Sequence, residues 1–465
     1  MGNHRMIFLE FNELCPALLE KWMSDGHLPH FKQFYNSSDV YITEADEKKA
    51  PYLEPWIQWY SMHTGLSFQQ HKVYHLTDGP KANHPDVWRI LLANGKAVAN
   101  CSSMNAKRFD APGSFFLPDP WCTTEGPYPA ELKAYHSVIA HTVQEYTNKD
   151  QSLSRTDYLR FLKFLLAHGL RLKTAIAVVR QMVLDQVLDK KEAWRRVVLL
   201  DKLQFDVFRY YFRKCKPDFA TFFLNSTAHY QHSYWRHMAP EEFSATRPSA
   251  EEQRRYQNAI LFGYQQMDLL LKDFFTLESS DVTLVLATAL SQQPFLRAEA
   301  TGGQHFYRPR AIETMLHSMG IAPEKILPVM THQYLAVFGD QAKVEAARKQ
   351  LSSMRVNGEE IFEFAPSNPG SLYFGCQIHS VLPPDSVVTF ADGNAPPFFD
   401  LFYAFSEVKS GCHHPDGVLW IKSGRHRLHS EKLSILEVLP MILDHFGIQN
   451  QDRAGIEAAR VLQHG

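Results

Sequence analysis

Cysteine is scarce in this 465-residue chain: there are six, at Cys15, Cys101, Cys122, Cys215, Cys376 and Cys412, and no two stand two residues apart. That scatter fits neither a zinc knuckle nor a redox pair, and it argues against a disulfide framework in a chain this long. Net charge is nearly absent too, with 48 Lys+Arg against 50 Asp+Glu. The balance excludes a globally basic nucleic-acid binder and a protein built around an acidic tail, so no nucleic-acid polymer is expected as a partner. Long apolar runs are missing. The most apolar stretch, residues 161–188, carries His168, Arg171, Lys173 and Arg180, which makes a transmembrane segment costly. The opening MGNHRMIFLEF has no room for the apolar stretch of a signal peptide, and Met6 stands where myristoylation needs Ser or Thr. These absences lead to the expectation of a soluble, cytoplasmic protein. No internal repeat or low-complexity tract is visible.

What is present is an ordinary folded composition, 45% apolar and 21% charged. The length allows two or three domains, or one large α/β domain with insertions. The run MIFLEFNEL has strand length and is followed by a helical pattern over residues 15–23. Strand, loop and helix in that order begin a βαβ unit, which places chemistry at the carboxyl end of the strand, here Glu10, Asn12 and Glu13. Further strands are expected at 96–101, 218–225 and 282–287, with a helix at 256–275. The alternation predicts an α/β fold: a mainly parallel sheet sandwiched by helices.

Two stretches interrupt that alternation. Residues 128–215 read as helical and basic, with 15 basic and 6 acidic side chains between Arg155 and Lys216. Those charges are either the solvent faces of amphipathic helices or a surface for an anionic substrate or membrane face. Residues 331–400 begin as strand, helix, strand, a small βαβ-like insert, and end in Pro- and Gly-rich loops of a cap. The expected organisation is therefore a core at 1–127, 216–330 and 401–465, interrupted by a helical insertion at 128–215 and a small α+β insert at 331–400.

Polar and aromatic residues crowd three places where strands should end. They are residues 52–65 (YLEPWIQWYSMHTG), 217–235 (PDFATFFLNSTAHYQHSYW), and 411–424 (GCHHPDGVLWIKSG) followed by 434–447 (SILEVLPMILDHFG). In this order they resemble the alkaline phosphatase superfamily, in particular its type I phosphodiesterase/nucleotide pyrophosphatase branch. A His followed by PDGVL, a Gly-containing turn and the helix S-I-x-x-x-x-P-x-I-L-x-x-x-G are similar to the end of that family's catalytic domain. Ser61, Thr64 and Gly65, the phrase Pro217-Asp218-Phe219, and Gly263-Tyr264 with Asp268 also resemble it.

The resemblance implies an alkaline-phosphatase-like fold and a site for two metal ions, usually zinc, beside a Thr or Ser nucleophile. Matched position by position, the pattern is eroded. The first-strand Asp falls on Glu10, and the nucleophile slot on Pro55, beside Glu54. The Asp of the D-x-x-x-H element falls on Ala228, its His on His232, and the later Asp-His pair on Ala289 and Leu290. The final His is His413. One metal site has lost nearly everything but Glu10; the other keeps His232 and His413, and His229 stands where it can replace the missing Asp. The resemblance thus implies at most one divalent metal, zinc foremost, at His229, His232 and His413, or none.

The residues leave their roles open. Glu10 and Glu54 are the candidate catalytic carboxylates, although Glu54 before Pro55 also suits the start of a helix. Asn12, Trp56, Gln58 and Gln292 are candidate substrate contacts. Gln292 follows the lost Asp-His pair, where its amide can serve an oxyanion or simply belong to a polar loop. Trp56, Trp59, Tyr60 and Trp235 are either core or a stacking platform for a sugar or base. The expected function is a divergent hydrolase or transferase of a phosphate or related ester on a sugar- or nucleotide-like small molecule. The alternatives are a metal-free glycan-processing enzyme using Glu10 and Glu54, and an inactive binding module.

Overall fold

The computed structural model describes residues 5–122, 124–145, 153–188, 191–329, 332–391, 393–405 and 408–448. The strands that build and flank the site are β1 (Arg5–Phe11), β2 (Ser38–Glu44), β3 (Val98–Cys101), β4 (Phe115–Leu117), β5 (Phe219–Leu224), β6 (Val282–Ala287), β7 (Ser291–Pro294), β8 (Gly411–His414) and β9 (Asp416–Lys422). Four helices matter most to it: α1 (Pro55–Thr64), α2 (Val197–Cys215), α3 (Ser226–Met238) and α4 (Ala259–Phe275). The central sheet runs Arg427–Leu428, β2, β9, β6, β1, β5, β3, β4, with Leu433–Ser434 beside β2. β6, β1, β5, β3 and β4 are mutually parallel, while β9 is antiparallel to both β2 and β6. The sheet is mainly parallel, as the alternation of strand and helix predicted.

Side chains alternate across a strand, so each face of β1 meets a different helical layer. Ile7, Leu9 and Phe11 pack into one apolar cluster with α2 and α4, including Phe205, Phe208, Tyr264 and Phe274. Met6 and Phe8 enter the other cluster with Trp59 and Met62 of α1, the helix Val87–Ala93 and the helix Val438–His445. Glu10 shares the face of Met6 and Phe8. It therefore points into an apolar layer, not out of the sheet's end.

Among the described residues of 128–215 the regular elements are helices, and the last of them, α2, is part of the core. α2 buries Phe205, Phe208 and Phe212, and the Phe208 ring lies 5.1 Å from that of Phe222 on β5. The insert is broader than 331–400, since its apolar cluster runs from Tyr307 to Phe402. Its sheet has the order Phe362–Ala365, Ser371–Cys376, Gln333–Val337, Lys325–Pro328, with antiparallel neighbours, and the helix Gln341–Leu351 covers it. Tyr307–Pro309 pairs with Phe402–Ala404 where the chain passes into and out of this unit. The insert touches the core at His75, which stacks on Tyr373 at 4.5 Å and donates from Nε2 to the Pro366 carbonyl at 2.6 Å.

Candidate metal centre at the carboxyl end of the first strand

Beyond the last residue of β1, Asn12 and Glu13 turn the chain toward the helix Pro16–Ser24. Glu13 has φ 63°, a left-handed backbone that costs a non-glycine residue energy and aims its side chain back over the sheet's end. Several hydrogen bonds hold it there. The Gln231 side-chain amide donates to the Glu13 carbonyl at 2.7 Å, and Gln231 Oε1 accepts from the Tyr264 hydroxyl at 3.0 Å. Asn12 Nδ2 donates to Glu13 Oε1 at 3.0 Å, and Gln292 Nε2 donates to Oε2.

Two imidazoles face this carboxylate. His232 comes from α3, which starts just past the end of β5. His413 comes from β8, whose antiparallel register with β7 sets it opposite Gln292. His232 Nε2 is 3.4 Å from Glu13 Oε2, and His413 Nε2 is 3.6 Å from Oε1. Each ring is oriented from behind: the Gly411 carbonyl accepts from His232 Nδ1 at 3.0 Å, and the Leu53 carbonyl from His413 Nδ1 at 2.8 Å. A carbonyl only accepts, so Nδ1 carries the hydrogen and Nε2 is the nitrogen turned to Glu13. This is the arrangement by which an outer hydrogen bond fixes the tautomer of a metal-ligating histidine.

Charge state agrees with that geometry. Burial works against ionisation of Glu13, but His413, His232 and the Gln292 amide hold its carboxyl down to about 2. Burial pushes His413 down to about 4, against the attraction of Glu13. At neutral pH a carboxylate therefore faces a neutral imidazole nitrogen, two acceptors with no proton of their own to share. Ligand atoms of Glu13, His232 and His413 all lie within 4.8 Å of one another. Two imidazole nitrogens and one carboxylate are a donor set for a divalent transition metal, so these residues fit a single ion of the kind the family resemblance implies.

Glu54 closes one side of the group. It sits at the N-cap of α1, yet its side chain makes no capping bond; Oε2 lies 3.5 Å from His413 Nδ1. Burial pushes Glu54 up to about 8, with Lys409 opposing and Glu13 adding to the shift.

The other sequence candidates fall in different places. His229, one turn before His232 on α3, is not among the three residues whose donor atoms converge. Glu10 is fully buried, with Oε1 2.7 Å from His63 Nε2 and Oε2 without a hydrogen-bond partner. Asn12 is committed on all sides, accepting from Trp59 Nε1 at 2.8 Å and donating to Glu13 and Asn225. Gln58 is buried and accepts from the Asp46 and Glu47 backbone while donating to Tyr52. Trp56 donates from Nε1 to the Tyr74 carbonyl at 2.8 Å. Gln292 uses its amide on Glu13 and on the Ala228 carbonyl, so it positions the Glu13 carboxylate.

The residue that sequence reasoning passed over is Glu13, although it lies at the strand end where chemistry was expected. Reading the strand as ending at Phe11 rather than near Glu10 would have singled it out, because the first polar residues beyond it are Asn12 and Glu13. His63 was likewise missed as the partner of Glu10.

No family model matches the chain, and no curated protein matches its sequence. Among solved structures it is similar to phosphonoacetate hydrolase from Sinorhizobium meliloti 1021 in complex with phosphonoacetate, at 11% identity, 94% of each chain and a TM-score of 0.43. It is similar to murine ectonucleotide pyrophosphatase/phosphodiesterase 5, at 8% identity, 96% of this chain, 95% of that one and a TM-score of 0.40. It is also similar to the wild-type alkaline phosphatase PafA, at 12% identity, 97% of each chain and a TM-score of 0.45.

Proposed function

We propose that this chain is a divergent enzyme of the alkaline phosphatase superfamily, nearest its type I phosphodiesterase/nucleotide pyrophosphatase branch. It hydrolyses or transfers a phosphate or related ester of a sugar- or nucleotide-like small molecule, using one divalent metal, zinc foremost. The carrying observation is the convergence of His232 Nε2 and His413 Nε2 on the Glu13 carboxylate, each ring held through Nδ1 by a backbone carbonyl. Glu13, His232 and His413 would hold the ion, with Glu13 rather than Glu10 as the carboxylate and His229 outside the set.

When bound, the ion supplies Lewis-acid polarisation of a phosphoryl oxygen. The chain's own residues do the rest. Asn12, Gln231 and Gln292 keep the Glu13 side chain and backbone in place. Glu54, whose carboxyl burial pushes up to about 8, stands beside His413 and would serve as a proton donor to a leaving oxygen. Lys409, whose charge is felt at both Glu54 and His413, favours an anionic ester at the site. The chain's six cysteines are all free thiols, which suits the cytoplasm. A metal-free glycan site would need Glu10 at the substrate, and its burial against His63 favours the metal reading over that one.

The test is elemental analysis of protein purified without chelator, alongside His232→Ala and a screen of p-nitrophenyl phosphate mono- and diesters. About one transition-metal ion per chain, lost together with ester hydrolysis in the variant, is expected. A wild type free of metal that still turns over glycans would overturn the proposal. Glu54→Gln should keep the metal and lower kcat by about 100- to 10,000-fold; full activity in it removes the proton-donor role.

A further inference from the structure

Seventeen large apolar side chains are exposed among the described residues, and eleven of them fall between Tyr158 and Leu188. Ten of the eleven lie on two consecutive helices, Arg155–Ala167 and Leu172–Val187, joined through Gly169, and Leu188 caps the second. On the first, Tyr158, Leu159, Leu162 and Leu166 recur at the three- and four-residue spacing of one helical face. On the second, Leu172, Ile176, Val179, Val183 and Val187 do the same, and Leu172 is 77% exposed. The second helix is inverted: what it buries is Thr174, Gln181 and Asp185. Asp185 accepts from the Gln181 amide at 2.9 Å and from Arg196 Nε at 2.5 Å, so the polar face is committed inward and the apolar face is left outward.

Charge says what covers it. Arg155, Arg160, Lys163 and Arg180 are exposed on these same helices, in the stretch whose basic excess the sequence showed. Beside the joining turn, Arg209 donates to the Gly169 carbonyl at 3.3 Å and lines a groove with Tyr210, Arg213 and Lys214. A two-fold contact between copies would set this basic surface against itself. No helix among the described residues is long and apolar enough to cross a membrane. An apolar stripe rimmed by Lys and Arg is the pattern of a helix lying in the headgroup region.

We propose that the two consecutive helices Arg155–Ala167 and Leu172–Val187 are a membrane-surface anchor that seats their apolar stripes in a bilayer containing anionic lipid. It holds the enzyme at that surface independently of the metal centre.

Sedimentation of the full chain with vesicles tests this, using phosphatidylcholine alone or with about one third phosphatidylglycerol. The chain should sediment with the anionic vesicles, remain in solution with the zwitterionic ones, and be released by salt. Leu162→Glu with Val179→Glu should abolish sedimentation while leaving the thermal melt and the bound metal unchanged; Leu162→Ser with Val179→Ser serves if the charged pair disturbs folding. Lys163→Gln and Arg180→Gln should each weaken binding about fivefold. Failure to sediment with either vesicle, or undiminished binding by both stripe variants, overturns the proposal. So does a dimer in light scattering that the stripe variants dissociate without any vesicle binding, which would make the surface a contact between copies.

Discussion

Two glutamates three residues apart meet opposite fates, and the cause is local geometry. Glu10 lies inside β1 and is turned by strand alternation into the layer of Met6 and Phe8, where its Oε1 lies 2.7 Å from His63 Nε2. A buried carboxyl of this kind is costly unless paired, and the pair ties α1 to the sheet. Glu13 lies past the strand end, in a left-handed turn, and points at two imidazoles. Its orientation depends on donors from Asn12, Gln231 and Gln292. Removing one of these should act through the ligand: Gln292→Ala is expected to weaken metal affinity about 10- to 100-fold by competition with a chelating dye. Unaltered affinity would make Gln292 a packing residue only.

At the scale of elements, the centre depends on a ribbon and a helix that come from distant parts of the chain. β7 and β8 pair antiparallel with His413 opposite Gln292, and β8 passes so close to α3 that residue 411 has no room for a side chain. A Cβ there would stand 2.4 Å from the Gln231 carbonyl oxygen and 2.3 Å from Gln292 Oε1. The same glycine's carbonyl orients His232. Gly411→Ala is therefore expected to cost about 1–3 kcal/mol in urea unfolding and to weaken metal binding as well. A variant with wild-type stability and affinity would show that the ribbon can shift without consequence. Legibility at this scale was uneven. The strand at 282–287 matched to the residue, and the helix expected at 256–275 became Ala259–Phe275 after a separate turn of helix. α2 was harder to place, because its Arg and Lys residues mask the face that carries Phe205, Phe208 and Phe212 into the core.

At the scale of the molecule, two helical layers enclose the sheet, and α2 carries an acid into one of them. Burial pushes Asp201 up to about 7, from an ordinary value near 4. A carboxyl whose folded pKa is raised binds its proton more tightly when folded. Its effect on stability is neutral below the unfolded value, and stability falls as pH rises toward the folded one. Between pH 5 and 8 wild type should thus lose more stability than Asp201→Asn, by at most about 3 kcal/mol. Denaturation curves at both pH values measure the difference; parallel behaviour of the two proteins would show that Asp201 does not titrate in this range. Asp119, pushed up to about 7 in the same way, remains in both proteins and cancels in the comparison.

Periodicity, strand-length apolar runs and turn residues act over a few positions, which is why the chain alone sufficed to predict a mainly parallel sheet between helical layers, while the family resemblance, not periodicity, pointed to His232 and His413. Matched to that family, the chain keeps only part of its two-metal pattern. Convergence is a different kind of fact. That Glu13 rather than Glu10 or His229 meets those histidines follows from where β1 ends, how the chain turns at φ 63°, and which register β7 and β8 adopt. The outward apolar stripes of residues 155–187 are likewise invisible in composition, because an amphipathic helix has the same sequence whichever face the rest of the fold covers. Contacts between residues hundreds of positions apart decide the first, and the partners of Asp185 and Gln181 decide the second; only the packed chain brings those residues together.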